Sequence, residues 1–351
     1  MNKFVNQNIQ KMKSYNPPIE NRRKYKGVLA DFNEAPCMPT EVLEGIKGLI
    51  TDDCVRLYPE YLNLVELVAR YSGVEADQVM LTNGSDQGID IIFRIFTGKN
   101  EKVIIPSPSF AMFYQCAQVM ENRIIKPLYT KTFEFPLAKV LGKIDSETKL
   151  IVVCNPNNPT GTLVSLDNIE KILKKAFRFG AVVYVDEAYF EFSGVTAAGL
   201  ISKYPNLIIT RTFSKAFALC GLRIGYVLAQ KEIIENMKKV RGPYDVNMIA
   251  AKAAILALKF LNKTKKMVAE IIESRKMLED FLKEKKILFW PSSANFLLFK
   301  PKDSGRIFEE LDEDGVRTRP RNDINIDGTI RITAGKINDM KKILKILKKI
   351  I

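Results

Sequence analysis

The 351-residue chain contains no histidine. That absence excludes a Ser-His-Asp triad, an H-E-x-x-H zinc site and any imidazole general base. Acid–base work near neutral pH falls instead to lysine, tyrosine, cysteine, carboxylates or a cofactor. Cysteine is sparse too: Cys37, Cys54, Cys116, Cys154 and Cys220 are widely scattered and form no C-x-x-C pair. This argues against a disulfide framework or a thiolate zinc site and fits a reducing, cytoplasmic setting. No apolar run reaches the roughly 18 residues that a membrane span requires. The polar, basic start from Met1 to Ser14 has no apolar core of a secretion signal. Internal repeats, low-complexity tracts and long linkers are also missing.

What is present describes an ordinary soluble globular chain, 46% hydrophobic and 27% charged, long enough for two lobes. The formal net charge is +14. Residues 31–250 are nearly neutral, so the basic excess lies in 1–30 and 251–351. A basic small lobe built from both termini would draw an anionic substrate to a cleft. A nucleic-acid surface fits less well, because the basic residues are interleaved with acids and lack a pattern of stacking aromatics. Solvated helix faces account for much of the charge in either case.

Short apolar runs alternate with helical patterns between about 40 and 250. The expected strands are Val79–Thr82, Lys102–Ile105, Ile124–Leu128, Leu150–Asn155, Ala181–Asp186, Leu207–Thr212 and Ile224–Ala229. Several lack polar alternation, as strands covered on both faces do. Helical stretches such as Leu64–Tyr71, Gln87–Phe96 and Leu166–Phe179 separate them, giving the rhythm of an open α/β sheet. From Met248 to Lys286 the pattern is helical. Phe296–Lys300, a helix over Gly305–Asp314, Thr329–Thr333 and a final helix over Asn338–Ile351 then make a smaller α+β lobe. That last helix is a basic amphipath, read as closing the small lobe rather than lying on a membrane. Three segments result: an N-terminal arm joining the small domain (1–30), a large domain with a mostly parallel sheet (31–250), and a small C-terminal domain (251–351).

Chemistry-bearing residues cluster at the expected strand ends. Lys215 stands in Thr212-Phe213-Ser214-Lys215, with Arg223 eight positions on. A lysine flanked by hydroxyls and followed by an arginine suits covalent capture of an aldehyde that carries a phosphate, the arginine acting as a charged fork. Asp186 ends a strongly apolar strand, where a lone carboxylate is costly unless paired. A protonated pyridine nitrogen supplies such a partner; a helix-capping role is the alternative. Together these describe a pyridoxal phosphate site with a Schiff-base lysine. Tyr189 and Asn158, in Asn157-Asn158-Pro159-Thr160-Gly161, can both reach a ring oxygen, although an Asx turn also explains Asn-Pro. Gly84-Ser85-Asp86 follows a strand and opens a helix, a place for a phosphate; alone, Ser85 or Asp86 reads better as a cap. Phe110 can stack on a pyridine face, and alone reads better as a core ring.

With these motifs in place, the chain resembles the fold-type-I pyridoxal phosphate enzymes of the class I and II aminotransferase family, most closely the histidinol-phosphate branch. The resemblance runs from about Asn33 to Gly335. It rests on Leu81–Asp86, Asn157–Gly161, Asp186-Glu187-Ala188-Tyr189, Thr212–Lys215 and Arg223. It implies coenzyme attachment to Lys215, ring nitrogen on Asp186, ring oxygen on Asn158 and Tyr189, and phosphate on Ser85, Asp86, Thr212, Ser214 and Arg223. Tyr58-Pro59 is similar to a dipeptide that reaches the partner subunit's phosphate, which implies a homodimer. Arg331 resembles the family arginine that grips the substrate anion, and Arg319 a second one in the histidinol-phosphate branch. Asn33-Glu34 resembles the start of an entrance segment whose usual continuation is replaced here by Ala35-Pro36-Cys37. Arg22-Arg23-Lys24 lies where a substrate-gating arm would be. The activity implied is reversible amino transfer between a glutamate-type donor and a phosphate-bearing keto acceptor, plausible for imidazole-acetol phosphate and L-histidinol phosphate. Threonine-phosphate decarboxylation and aromatic amino-acid transamination remain alternatives. A binding protein without chemistry fits poorly with an intact Lys215, Asp186 and Arg223.

Overall fold

The computed structural model describes residues 3–351 apart from Lys131 and Phe133. Met1 and Asn2, the start of the expected arm, lie outside the described residues. The arm continues through a short helix, Gln7–Lys11, to strand β1 (Val28–Leu29).

Seven strands form the principal sheet: β2 (Val79–Thr82), β3 (Lys102–Ile104), β4 (Arg123–Ile125), β5 (Thr148–Cys154), β6 (Val182–Asp186), β7 (Leu207–Thr212) and β8 (Gly225–Ala229). Their order is β2-β8-β7-β6-β5-β3-β4, with β8 antiparallel to both neighbours and the rest parallel. The unbroken apolar runs have a physical cause. On β5 and β6, Ile151, Val153, Val183 and Val185 face one buried cluster, while Leu150, Val152 and Tyr184 face another. Helices cover both faces, so neither can be polar. One face carries Leu62–Ser72, Leu166–Arg178 and Met248–Lys259; the other carries Gly84–Phe96, Ala111–Val119 and Lys231–Val240.

The expected strand over Ile124–Leu128 is shorter than the apolar run. Pro127 has no N–H to donate, so pairing stops at Ile125 and resumes as a single bridge between Ser107 and Leu128. The helical stretch after Met248 is two helices, Met248–Lys259 and Leu261–Glu284, separated at Phe260.

The second sheet, antiparallel, contains β9 (Leu288–Trp290), β10 (Phe296–Lys300), β12 (Arg319–Arg321) and β13 (Thr329–Thr333), in the order β12-β13-β10-β9. Strand β11 (Val316–Arg317) pairs in parallel with β1. The chain then crosses the second sheet: Thr333 N–H donates to Ala30 O at 2.9 Å, and Asn295 Nδ2 donates to Asn33 O at 3.0 Å. Residues 31–34 are thereby carried to the carboxyl ends of β5, β6 and β7.

Candidate active site

Between β3 and β5 the strand order reverses direction, and such a switch point opens a crevice at the strands' carboxyl ends. A cleft of about 1050 Å³ lies there. It is lined by Lys215, Asp186 and Tyr189, by the expected phosphate group Ser85, Asp86, Thr212, Ser214 and Arg223, and by Phe110, Asn158, Asn33, Arg319 and Arg331. Residues from opposite ends of the sequence therefore share one cavity.

Asp186 is the last residue of β6 and is 4% exposed. Its Oδ1 accepts a hydrogen bond from Thr210 Oγ1 at 2.9 Å. Register places Thr210 beside it, since Asp186 pairs with Thr210 across β6 and β7. The Cys154 thiol lies 4.0 Å from Oδ2. Among the described residues, no lysine or arginine nitrogen forms an ion pair with this carboxylate. Burial pushes its pKa up to about 7. An uncompensated carboxylate of this kind fits a cationic ring nitrogen.

Lys215 follows β7 after a tight turn in which Ser214 N–H donates to Thr212 Oγ1 at 3.1 Å. Its Nζ donates to Phe32 O at 3.0 Å. Burial, reinforced by the charge of Arg331, draws the amine down to about 8. An amine with that pKa is half free of its proton near pH 8, where an ordinary lysine is almost fully protonated, and the free amine is what a nucleophile needs.

Tyr189 OH accepts from Asn33 Nδ2 at 2.9 Å and from Asn158 Nδ2 at 3.5 Å. Asn158 Oδ1 in turn accepts from Arg331 Nη1 at 2.7 Å, and Arg331 Nη2 donates to Asp31 O at 2.6 Å. Burial raises the Tyr189 pKa, so its hydroxyl stays protonated.

The residues expected at the phosphate are brought together by close approach of the helix start to β8. Gly84 opens the helix Gly84–Phe96 at φ +71°, and a Cβ there would run into the Arg223 guanidinium. A Cβ on Gly225 would meet Ser85 N at 2.7 Å and Arg211 O at 2.8 Å. Ser85 and Asp86 occupy the helix's first turn, where backbone N–H groups have no intrahelical partner. Asp86 Oδ2 pairs with Arg223 Nη2 at 3.2 Å. Phe110, at the start of the helix Ala111–Val119, keeps one edge on Phe113 at 5.7 Å and also faces the cleft.

Tyr58 does not line the cleft of its own chain. It is 72% exposed and stacks on Tyr244 at 4.1 Å. Arg22, expected in a gating arm, is buried and forks to Asp31 at 2.5 Å and Glu34 at 2.6 Å, so its charge is taken up by the segment that follows the arm. Arg23 and Lys24 do face the cleft. Residues that the sequence reading passed over are Thr210 and Cys154 beside Asp186, and Arg321, which lines the cleft near Arg319. The signal for Thr210 is its strand register, invisible across a separation of 24 residues.

The family model of aminotransferases class I and II matches residues 34–347. The chain belongs to this family. This aminotransferase is 32% identical to a histidinol-phosphate aminotransferase of Cytophaga hutchinsonii, over 99% of the chain and 98% of that protein. It is 33% identical to one of Caldanaerobacter subterraneus subsp. tengcongensis, covering 99% of each. Its fold is shared with the histidinol-phosphate aminotransferase of Clostridium acetobutylicum (TM-score 0.84, 26% identity, 92% of this chain and 98% of that one). It is also shared with that of Sinorhizobium meliloti in complex with pyridoxal-5'-phosphate (TM-score 0.88, 23% identity, 99% of each).

Proposed function

We propose that this aminotransferase transfers the amino group of L-histidinol phosphate to 2-oxoglutarate, forming imidazole-acetol phosphate and L-glutamate, with pyridoxal 5'-phosphate as coenzyme. The observation that carries the substrate reading is the gathering of Arg319, Arg321 and Arg331 in one cleft with Lys215 and Asp186. Relatives bearing the histidinol-phosphate aminotransferase name align over nearly the whole chain and support it.

Pyridoxal phosphate, when bound, supplies an aldehyde for the lysine amine and a ring that accepts electrons. Asp186 would hold a proton at the ring nitrogen. Asn158 and Tyr189 would hold the ring oxygen, with Asn33 fixing Tyr189, and Phe110 would pack against the ring. The phosphate would be held by Thr212, Ser214, Arg223 and the helix start at Gly84-Ser85, with Asp86 orienting Arg223. Lys215 Nζ, buried in the cleft, would serve as the base that takes the proton from the substrate's amino-bearing carbon and as the acid that returns it. Arg331 and Arg319 bind the substrate's anionic group.

The same reading divides the chain into the arm (1–30), a large coenzyme domain (31–250) and a small domain (251–351). It makes the enzyme a cytoplasmic homodimer in which Tyr58 reaches the partner subunit's phosphate and substrate. Its partners are a small-molecule amino donor and a phosphate-bearing acceptor, with no nucleic acid and no membrane.

The test is a spectroscopic titration of coenzyme-loaded enzyme with L-histidinol phosphate, L-histidinol, L-phenylalanine and threonine phosphate. Two guanidinium contacts to phosphate should make L-histidinol phosphate saturate at about 100-fold lower concentration than L-histidinol. Lys215→Ala should abolish the change. Equal half-saturation with and without the phosphate, or carbon dioxide release from threonine phosphate without keto product, defeats the assignment.

A further inference from the structure

The second sheet brings more positive charge to the substrate end of the cleft than a single carboxylate requires. Arg319 and Arg321 lie two residues apart on edge strand β12, so their side chains leave the same face. Arg331 sits directly opposite Arg319 in antiparallel register, and all three line the cleft. Like charges opposed across strands destabilise a sheet. Among the described residues one carboxylate answers this face: Asp323 Oδ2 lies 2.7 Å from Arg321 Nη2. Arg319 and Arg331 form no ion pair among the described residues. Arg321 is 16% exposed at its side chain, and its Nε, like that of Arg331, is buried without a hydrogen-bond partner. Three guanidinium groups against one carboxylate leave two positive charges, the complement of a phosphate monoester dianion. The nearby Glu34 makes no ion pair with these three arginines; it shares Arg22 with Asp31. The mutual influence is visible in Arg331, whose pKa falls to about 10, first through burial and then through the charge of Arg321, with a smaller push from Arg319.

We infer that Arg321 is a third phosphate-binding residue of this cleft, shared between Asp323 and the substrate. The Arg321–Asp323 pair then sets how strongly the site prefers a dianionic phosphate to a carboxylate. This deepens the proposed function and rests on its reading of the substrate as a phosphate ester.

Calorimetric titration of the coenzyme-loaded enzyme with inorganic phosphate tests the inference without depending on the identity of the organic substrate. Loading fills the coenzyme's own phosphate site first. Arg321→Gln should weaken phosphate binding about tenfold, and more than it raises the half-saturation for L-glutamate. Asp323→Asn releases the guanidinium from its carboxylate and should tighten phosphate binding about threefold, a gain that a purely structural ion pair does not give. The inference is overturned if the wild type does not bind phosphate, if Arg321→Gln binds it as the wild type does, or if Asp323→Asn weakens binding. Should Arg321→Gln fail to fold, the Asp323→Asn result decides alone. Phosphate binding that responds as expected, in an enzyme that ignores L-histidinol phosphate, sinks only the substrate assignment. Turnover of L-histidinol phosphate with phosphate binding indifferent to both variants sinks only the role of Arg321.

Discussion

At the level of single residues, the two groups that define the site are held away from their ordinary charge states. Burial raises the Asp186 carboxyl to about 7 and lowers the Lys215 amine to about 8. For Asp186 the folded protein binds the extra proton between the ordinary value of 3.8 and about 7. Its favourable contribution is therefore full below pH 4 and lost as pH rises to 7. For Lys215 the unfolded chain holds the extra proton between about 8 and 10.5, so stability rises with pH across that interval. Enzyme stripped of coenzyme should accordingly be least stable, with respect to these groups, at pH 7–8. Asp186→Asn should raise the thermal midpoint of coenzyme-free enzyme at pH 8, by up to about 4 kcal/mol in free energy, with the gain vanishing near pH 4. In loaded enzyme the same change would remove the proposed partner of the ring nitrogen and should lower amino transfer by about 150- to 5000-fold, the equivalent of about 3–5 kcal/mol for breaking a buried pair. Thermal melts across pH and a single-turnover assay check both halves. A coenzyme-free Asp186→Asn enzyme no more stable than the wild type at pH 8 contradicts the account.

At the level of elements, the proposed coenzyme phosphate site rests on how closely the helix Gly84–Phe96 starts against β8. Gly225 permits that approach because a Cβ there would collide with backbone atoms of Ser85 and Arg211, which cannot swing aside as a flexible side chain can. Gly225→Ala should cost about 1–3 kcal/mol of stability and weaken pyridoxal phosphate binding, measured by coenzyme release on dialysis. An unchanged dissociation constant would show that the approach is not needed. The strands of the principal sheet were readable because each carries an apolar run, such as Leu150–Cys154 and Val182–Val185. Strands β9 and β12 were not. Arg319-Pro320-Arg321 carries no apolar signal, and Pro320 is admitted only because β12 is an edge strand. Arg321 therefore went unnoticed as a site residue, while Arg319 was found only through family resemblance.

At the level of the whole molecule, Ile50, Val55, Leu57, Tyr58, Leu62 and Tyr244 are all at least half exposed. An apolar surface of this kind suits burial against a second copy. Light scattering should give a dimer mass near 80 kDa, twice the 39.9 kDa chain. Mixing inactive Lys215→Ala chains with Tyr58→Ala chains should recover activity beyond either alone, because one cleft of each mixed dimer has an intact lysine and an intact partner tyrosine. A monomeric, fully active enzyme refutes the shared site. The sequence by itself determined the alternation of strands and helices, the exclusion of imidazole chemistry, and the short motifs around Asn158, Asp186 and Lys215, since each is written in contiguous residues as periodicity or spacing. The tertiary structure alone decided that Thr210 supports Asp186, that Asn33 reaches Tyr189, that Arg22 is consumed by Asp31 and Glu34, and that three arginines share a face. Those contacts arise from strand register and from a chain start folded back across the second sheet, and neither leaves a local mark in the order of amino acids.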